Sequence, residues 1–96
     1  MYVLYSKAEI YLPYATSLKD KRQIVQSLTD RMRKRFSISV AEVDHHDLWQ
    51  RASIGFAAVC KSVSETDLIM ETIRTALDGY SHQFEVLDLN WEIASY

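Results

Sequence analysis

Cysteine occurs once, at Cys60, which excludes an intrachain disulfide and a zinc site built on paired thiolates. A reducing, cytoplasmic setting is the expectation for such a chain. Glycine occurs twice and proline once. Gly55 and Gly79 stand alone, so neither a P-loop nor a Rossmann-type phosphate turn can be built, and no nucleotide cofactor is implied. The same scarcity leaves little room for long loops, and no linker, repeat or low-complexity tract interrupts the chain. The longest apolar run, IGFAAVC, is far shorter than the roughly 20 residues of a membrane helix. The opening MYVLYSKAEIYL has no leading basic stretch, so neither a leader nor a membrane partner is expected.

What is present describes an ordinary folding domain. Hydrophobic residues make up 48% and charged residues 25%, outside the regime of disordered chains. A chain of 96 residues forms one domain, 1–96, able to bury roughly 60–65% of its unfolded surface without staples. Net charge is −2, but unevenly spread. Segment 19–35 sets Lys19, Lys21, Arg22, Arg31, Arg33, Lys34 and Arg35 against Asp20 and Asp30, a local balance of +5 that leaves −7 elsewhere.

Periodicity divides the chain into six elements. Leu4, Ala8, Ile10 and Leu12 alternate with Tyr5, Lys7, Glu9 and Tyr11 in a first strand that Pro13 ends. Ser17, with Asp20 three places on, caps a helix over 18–35 whose apolar stripe runs through positions 18, 24, 25, 28, 32 and 36. Two strands follow, one through Ile38 and Val40 and one through Ala52, Ile54, Phe56, Ala58 and Cys60. Ser64 and Asp67 repeat the capping pattern for a second helix with a stripe of Leu68, Ile69, Ile73, Ala76 and Leu77, and Gly79 stands where a left-handed C-terminal cap would sit. Leu87, Leu89, Trp91 and Ile93 alternate in a fourth strand. The order βαββαβ defines an α+β, ferredoxin-like fold: a four-stranded antiparallel sheet, order 4-1-3-2, with both helices on one face.

Between the middle strands lies DHHD, residues 44–47. If Val40, Ala52, Ile54 and Phe56 face the helices, equal-parity residues must pair. A three-residue tip of His45, His46 and Asp47 satisfies this, pairing Asp44 with Leu48, Val43 with Trp49 and Val40 with Ala52; histidine and aspartate tolerate the left-handed conformation such tips use. Adjacent strand residues point to opposite faces, so His45 and His46 do not converge on one ion, and no metal site is expected. Trp49, packed across Val43, together with Asp47 and Arg51, forms a candidate partner contact at the hairpin, since Trp and Arg dominate interface hot spots.

Catalysis finds no anchor. Cys60 points inward as a small hydrophobe, and Glu42, Asp44 and Asp47 occupy a strand end and loop with no pocket implied. RASIGFAAV shares only its central Gly-Phe-Ala with the RNA-recognition signature, and Phe56 is turned to the core, so the sheet lacks a base-stacking platform. Tyr5, Tyr11 and Val43, beside small residues of the third strand, make a semi-apolar open face that a second copy could cover, so a homo-oligomer is expected. The basic cluster complements the C-terminal dipole of the first helix. Lys19, Arg22, Gln26 and Arg33 also share an outward face, as a phosphate-backbone contact requires.

SLKDKRQIVQSL and FSISVAEVDHHDLWQRASIGFAAV resemble the YlxP-like family, small bacterial proteins with a domain of unknown function. The resemblance rests on Ser17, Leu18, Lys19, Asp20, Lys21 and Arg22, then on Glu42, Asp47, Trp49, Gln50, Arg51 and Ala52. It implies a ferredoxin-like fold, no established enzymatic activity, and, from family genes lying among those of transcription and translation, a link to ribosome biogenesis. The resulting expectation is an accessory protein touching ribosomal RNA or a ribosome-associated protein through the first helix. The alternative is a homo-oligomeric interaction or ligand-sensing module using the open sheet face.

Overall fold

The structure, a computed structural model, describes residues 1–96. Strand β1 (Tyr2–Tyr11) buries its even positions, with Leu4, Ala8 and Ile10 at most 1% exposed. Its central place follows from that alternation, since it pairs antiparallel with β3 (Arg51–Cys60) on one side and β4 (Glu85–Ser95) on the other. Strand β2 (Ser39–Asp44) completes the order β2-β3-β1-β4, leaving β2 and β4 as edges. This is the βαββαβ ferredoxin-like arrangement expected from the periodicities.

Helices α1 (Leu18–Arg35) and α2 (Val63–Asp78) cover one sheet face. Val25, Leu28 and Met32 of α1, with Ile69, Met70, Ile73, Ala76 and Leu77 of α2, close over Val40, Ala52, Ile54, Phe56, Ala58 and Cys60. Burial of the Cys60 thiol pushes its pKa up. No helix is long and apolar enough to cross a membrane.

Four details depart from the periodic reading. First, Ser62 rather than Ser64 caps α2: its Oγ accepts from the Glu65 backbone N–H at 3.2 Å, and its extended backbone (φ −150°, ψ 161°) marks the true start. The spacing of serine and acid occurs twice, at Ser62/Glu65 and Ser64/Asp67, and the chain uses the first. Leu68 accordingly falls outside the buried stripe, at 61% exposure, and Thr66 takes an inward place.

Second, Gly79 is right-handed (φ −63°, ψ −15°), not a left-handed cap. The chain keeps turning through Tyr80 and Phe84, whose rings stack at 5.4 Å and are both buried. Third, the alternation of β4 breaks at Leu87: Glu9 pairs with Asp88 but Ile10 with Val86, so Leu87 bulges and is 47% exposed.

Fourth, the hairpin is longer than a three-residue tip. Val40 pairs with Phe56, not Ala52, and Glu42 with Ile54, so the ladder slips by four residues while equal parity survives. Val43 bulges, Asp44 meets Ser53, and residues 45–50 form the connection. Lys21, from α1, and the loop's own Gln50 tie this wider loop down.

Candidate functional site

The loop 45–50 begins on His45, the one non-glycine residue with positive φ (63°), and folds through a turn closed by Leu48 N–H to the His45 carbonyl at 3.0 Å. The Asp44 carboxylate accepts the His45 backbone N–H at 2.7 Å, and this bond holds its pKa below the usual carboxylate value. Beneath the loop lies Lys21. Its ammonium, wholly excluded from solvent, donates to the carbonyls of His45 (2.8 Å), His46 (3.2 Å) and Arg51 (3.3 Å). It also lies 2.8 Å from Glu42 Oε2, an oxygen shut away from water whose compensation is the charge of Lys21 rather than an aligned hydrogen bond.

A second tie joins the loop to the β1–α1 corner. The Gln50 side-chain amide donates to the carbonyls of Pro13 (3.2 Å) and Ala15 (3.5 Å), while Leu12 N–H donates to the Gln50 carbonyl at 2.9 Å. The same corner starts α1: Ser17 Oγ accepts the Asp20 N–H at 3.1 Å, and Asp20 Oδ2 accepts from the Thr16 hydroxyl (2.8 Å) and backbone N–H (3.0 Å). Those Thr16 bonds lower the Asp20 pKa.

The two histidines part company. His46 Nε2 lies 3.1 Å from the Glu42 carbonyl, which can only accept, so that nitrogen carries a proton. His45 Nε2 turns to the open sheet face, 3.7 Å from Glu9 Oε2. Glu9 is the hub of that face: Ser53 Oγ donates to Oε2, Arg51 Nη2 lies 3.9 Å from Oε2, and Lys7 Nζ lies 3.9 Å from Oε1. Sequence reasoning missed this group; the available signal was the same-face alternation of Lys7 and Glu9 in β1 with Arg51 and Ser53 in β3. Ser53, on the open face yet 1% exposed, is capped by it. No three His, Cys, Asp or Glu side chains gather where they could hold a metal ion.

The residues expected to contact partners fall into distinct settings. Lys21 leaves the basic surface altogether, because burial commits it to the loop. Arg33 Nη2 donates to the Val40 carbonyl at 2.9 Å, and Arg31 lies 6.0 Å over the Tyr80 ring, close to the C-terminal end of α2, which has no basic residue of its own in its last turn. Lys19, Arg22, Lys34 and Arg35 are exposed and form no ion pair. Lys19 and Arg22 line an open depression with Gln23, Gln26 and Ser27.

At the hairpin, Trp49 does not pack across Val43: it lies outside the ladder, 53% exposed, next to exposed Asp47. Arg51 turns instead to Glu9. On the open face, Tyr5 donates to Glu92, which raises its pKa, Tyr11 is half-buried opposite Arg51, and Val43 lies over Gly55. A Cβ on Gly55 would meet Val43 Cγ1 at 2.9 Å, so this glycine answers to a close approach rather than to a turn.

The fold class is the ferredoxin-like α+β sandwich. A de novo designed protein with a ferredoxin fold superposes over 100% of this chain and 88% of its own at TM-score 0.58 and 9% identity. HapK from Hahella chejuensis superposes over 96% of this chain and 90% of its own at TM-score 0.51 and 13% identity. Likeness at such identities is one of fold. Sequence gives the particular family: residues 3–91 match the family described as "Protein of unknown function (DUF503)". The uncharacterized protein YlxP of Bacillus subtilis (strain 168) is 30% identical over 76 residues, spanning 79% of this chain and 83% of that one. The chain belongs to the DUF503, YlxP-like family.

Proposed function

We propose that this protein is a cytoplasmic, non-catalytic accessory that lays the outward face of α1 on the phosphate backbone of RNA, with ribosomal RNA as its target. One observation carries the reading: Lys19, Arg22, Lys34 and Arg35 are exposed on α1 with no carboxylate in ion-pair range, in a protein whose remaining surface is acidic. Unpaired cations displace counterions from a polyanion, and four such contacts predict a salt slope of about −3 on single-stranded RNA. Arg31 and Arg33 serve the fold and Lys21 the loop, so the contact set is smaller than the seven cations of the segment.

Co-sedimentation with ribosomes across a salt series tests the reading. The reversals Lys19→Glu, Arg22→Glu, Lys34→Glu and Arg35→Glu together abolish it at moderate salt while leaving the thermal midpoint near that of the unaltered protein. Unchanged co-sedimentation refutes the proposal.

A second reading, self-association through the open sheet face, has its own observation: Tyr5, Val43 and Val59 are 46%, 51% and 66% exposed on a face that no helix covers. Sedimentation equilibrium at tens of micromolar separates the two, since Tyr5→Ala with Val43→Asp dissolves a sheet-face dimer and leaves RNA binding alone.

A further inference from the structure

The end of the molecule where α1 begins carries two bare aromatic rings. Tyr14 is 76% and Trp49 53% exposed, and neither has a hydrogen-bond, stacking or cation–π partner. They come from loops far apart in sequence, yet one cross-link holds the two backbones side by side. The Gln50 amide grips the carbonyls of Pro13 and Ala15, the residues on either side of Tyr14, and Gln50 itself follows Trp49. Three residues after Ala15 the helix starts, bringing the unpaired Lys19 and Arg22 onto its first turns.

This platform is preorganised. Lys21 fastens the Trp49 loop through three backbone carbonyls, and the Asp20 bonds to Thr16 fasten the other loop, so little ordering remains to be done on binding. Exposed rings at the end of the molecule that also carries free cations suit a ligand that offers flat π-faces and phosphates in alternation. A protein partner would seat Trp49 in a desolvated pocket of its own and would not call for free cations on the same end of the molecule, whereas phosphates require them. The surface around Asp47, Leu48, Trp49, Gln50 and Arg51 is a shallow, open depression.

We infer that Trp49, seconded by Tyr14, stacks an unpaired base of single-stranded RNA whose neighbouring phosphates lie on Lys19 and Arg22. The inference rests on the α1 reading above and narrows its ligand from RNA in general to unpaired RNA.

Fluorescence anisotropy with a labelled unstructured oligoribonucleotide and a blunt RNA duplex, at one salt concentration, tests it. Trp49→Ala weakens binding of the single strand about tenfold, the low end of what one stacked base contributes, and changes duplex binding less than twofold. Trp49→Phe restores most of the loss. Lys19→Glu with Arg22→Glu weakens both ligands. If Trp49→Ala leaves the single strand unaffected while the charge reversals still weaken both, the stacking inference falls and the α1 reading stands. If the reversals weaken neither, or the unaltered protein binds neither RNA at low salt, both fall. Loss of a protein ligand on Trp49→Ala with RNA affinity intact also overturns the inference. Both rings are exposed, so thermal midpoints within a few degrees of the original verify that the variants are folded.

Discussion

Helices α1 and α2 lie side by side on one sheet face, each opened by a serine whose hydroxyl accepts the backbone N–H three residues on. Their charges are opposite. α1 carries seven basic residues against two acidic, whereas α2 sets Arg74 alone against Glu65, Asp67, Glu71 and Asp78. The single cation of α2 is spent internally, 4.5 Å over the Trp91 ring. Packing gives both helices the same task, so the difference lies in what each shows to solvent. A polyanion drawn to α1 meets repulsion at α2, which fixes the side from which it can approach.

The inward faces differ as well, and here the largest effect is expected. The deepest polar group of α1 is Lys21, and that of α2 is Thr66, whose hydroxyl donates to the Val63 carbonyl one turn back. Lys21→Ala strands Glu42 and the carbonyls of His45, His46 and Arg51, at a cost of about 3 kcal/mol. In a domain of this size that is a fall in Tm of about 15 °C. Thr66→Val gives up one local bond and costs about 1 kcal/mol or less. Equal costs in a thermal or denaturant melt would erase the distinction between a tertiary clamp and a local bond.

The caps come next. Ser17→Ala and Ser62→Ala each cost about 1 kcal/mol, while Ser64→Ala, already inside the helix, stays within about 0.5 kcal/mol. Chemical denaturation of the three variants measures this, and a Ser64 variant that matched the other two would move the start of α2.

The smallest effect is one of pH. Asp20 has a folded pKa below its unfolded value near about 3.9, so the stability it adds is fully present above that value and is lost as pH falls through the folded one. The gap in Tm between the unaltered protein and Asp20→Asn is therefore widest near neutrality and closes on acidification below about pH 4. A gap that stays constant from pH 7 to 3 would remove Asp20 from the account of how α1 begins.

How much of this was legible in the residues follows from the range of the forces involved. The period-2 and period-3.6 patterns act locally and repeat, so six elements and their order could be read from the apolar stripes, and the buried face of the sheet from Leu4, Ile10, Ala52, Ile54 and Phe56. The register of β2 against β3 could not. Parity survives a slip of four residues, and what chooses among equal-parity registers is Lys21 reaching into the loop from α1 and Gln50 reaching out of it to Pro13 and Ala15. The same long-range bonds decided the candidate site. In sequence Lys21 is one more cation of a basic cluster, and Glu9 one more solvated strand acid. Only contact with Glu42 in one case, and with Ser53, His45 and Arg51 in the other, gives them separate work. Trp49 was legible as an aromatic near a hairpin, but its exposure depended on the register.

The burial of Lys21 also makes the chain its own gauge of integrity. Of five lysines, Lys7, Lys19, Lys34 and Lys61 offer their amines to water, and Lys21 does not. Among the lysines, an acylating reagent applied to the native molecule therefore tags four and spares the fifth until the corner between α1 and the hairpin comes apart. Within the same mass spectrum, Lys19 and Lys34 record the shadow cast by whatever sits on α1, while silence at Lys21 certifies that the fold beneath is whole.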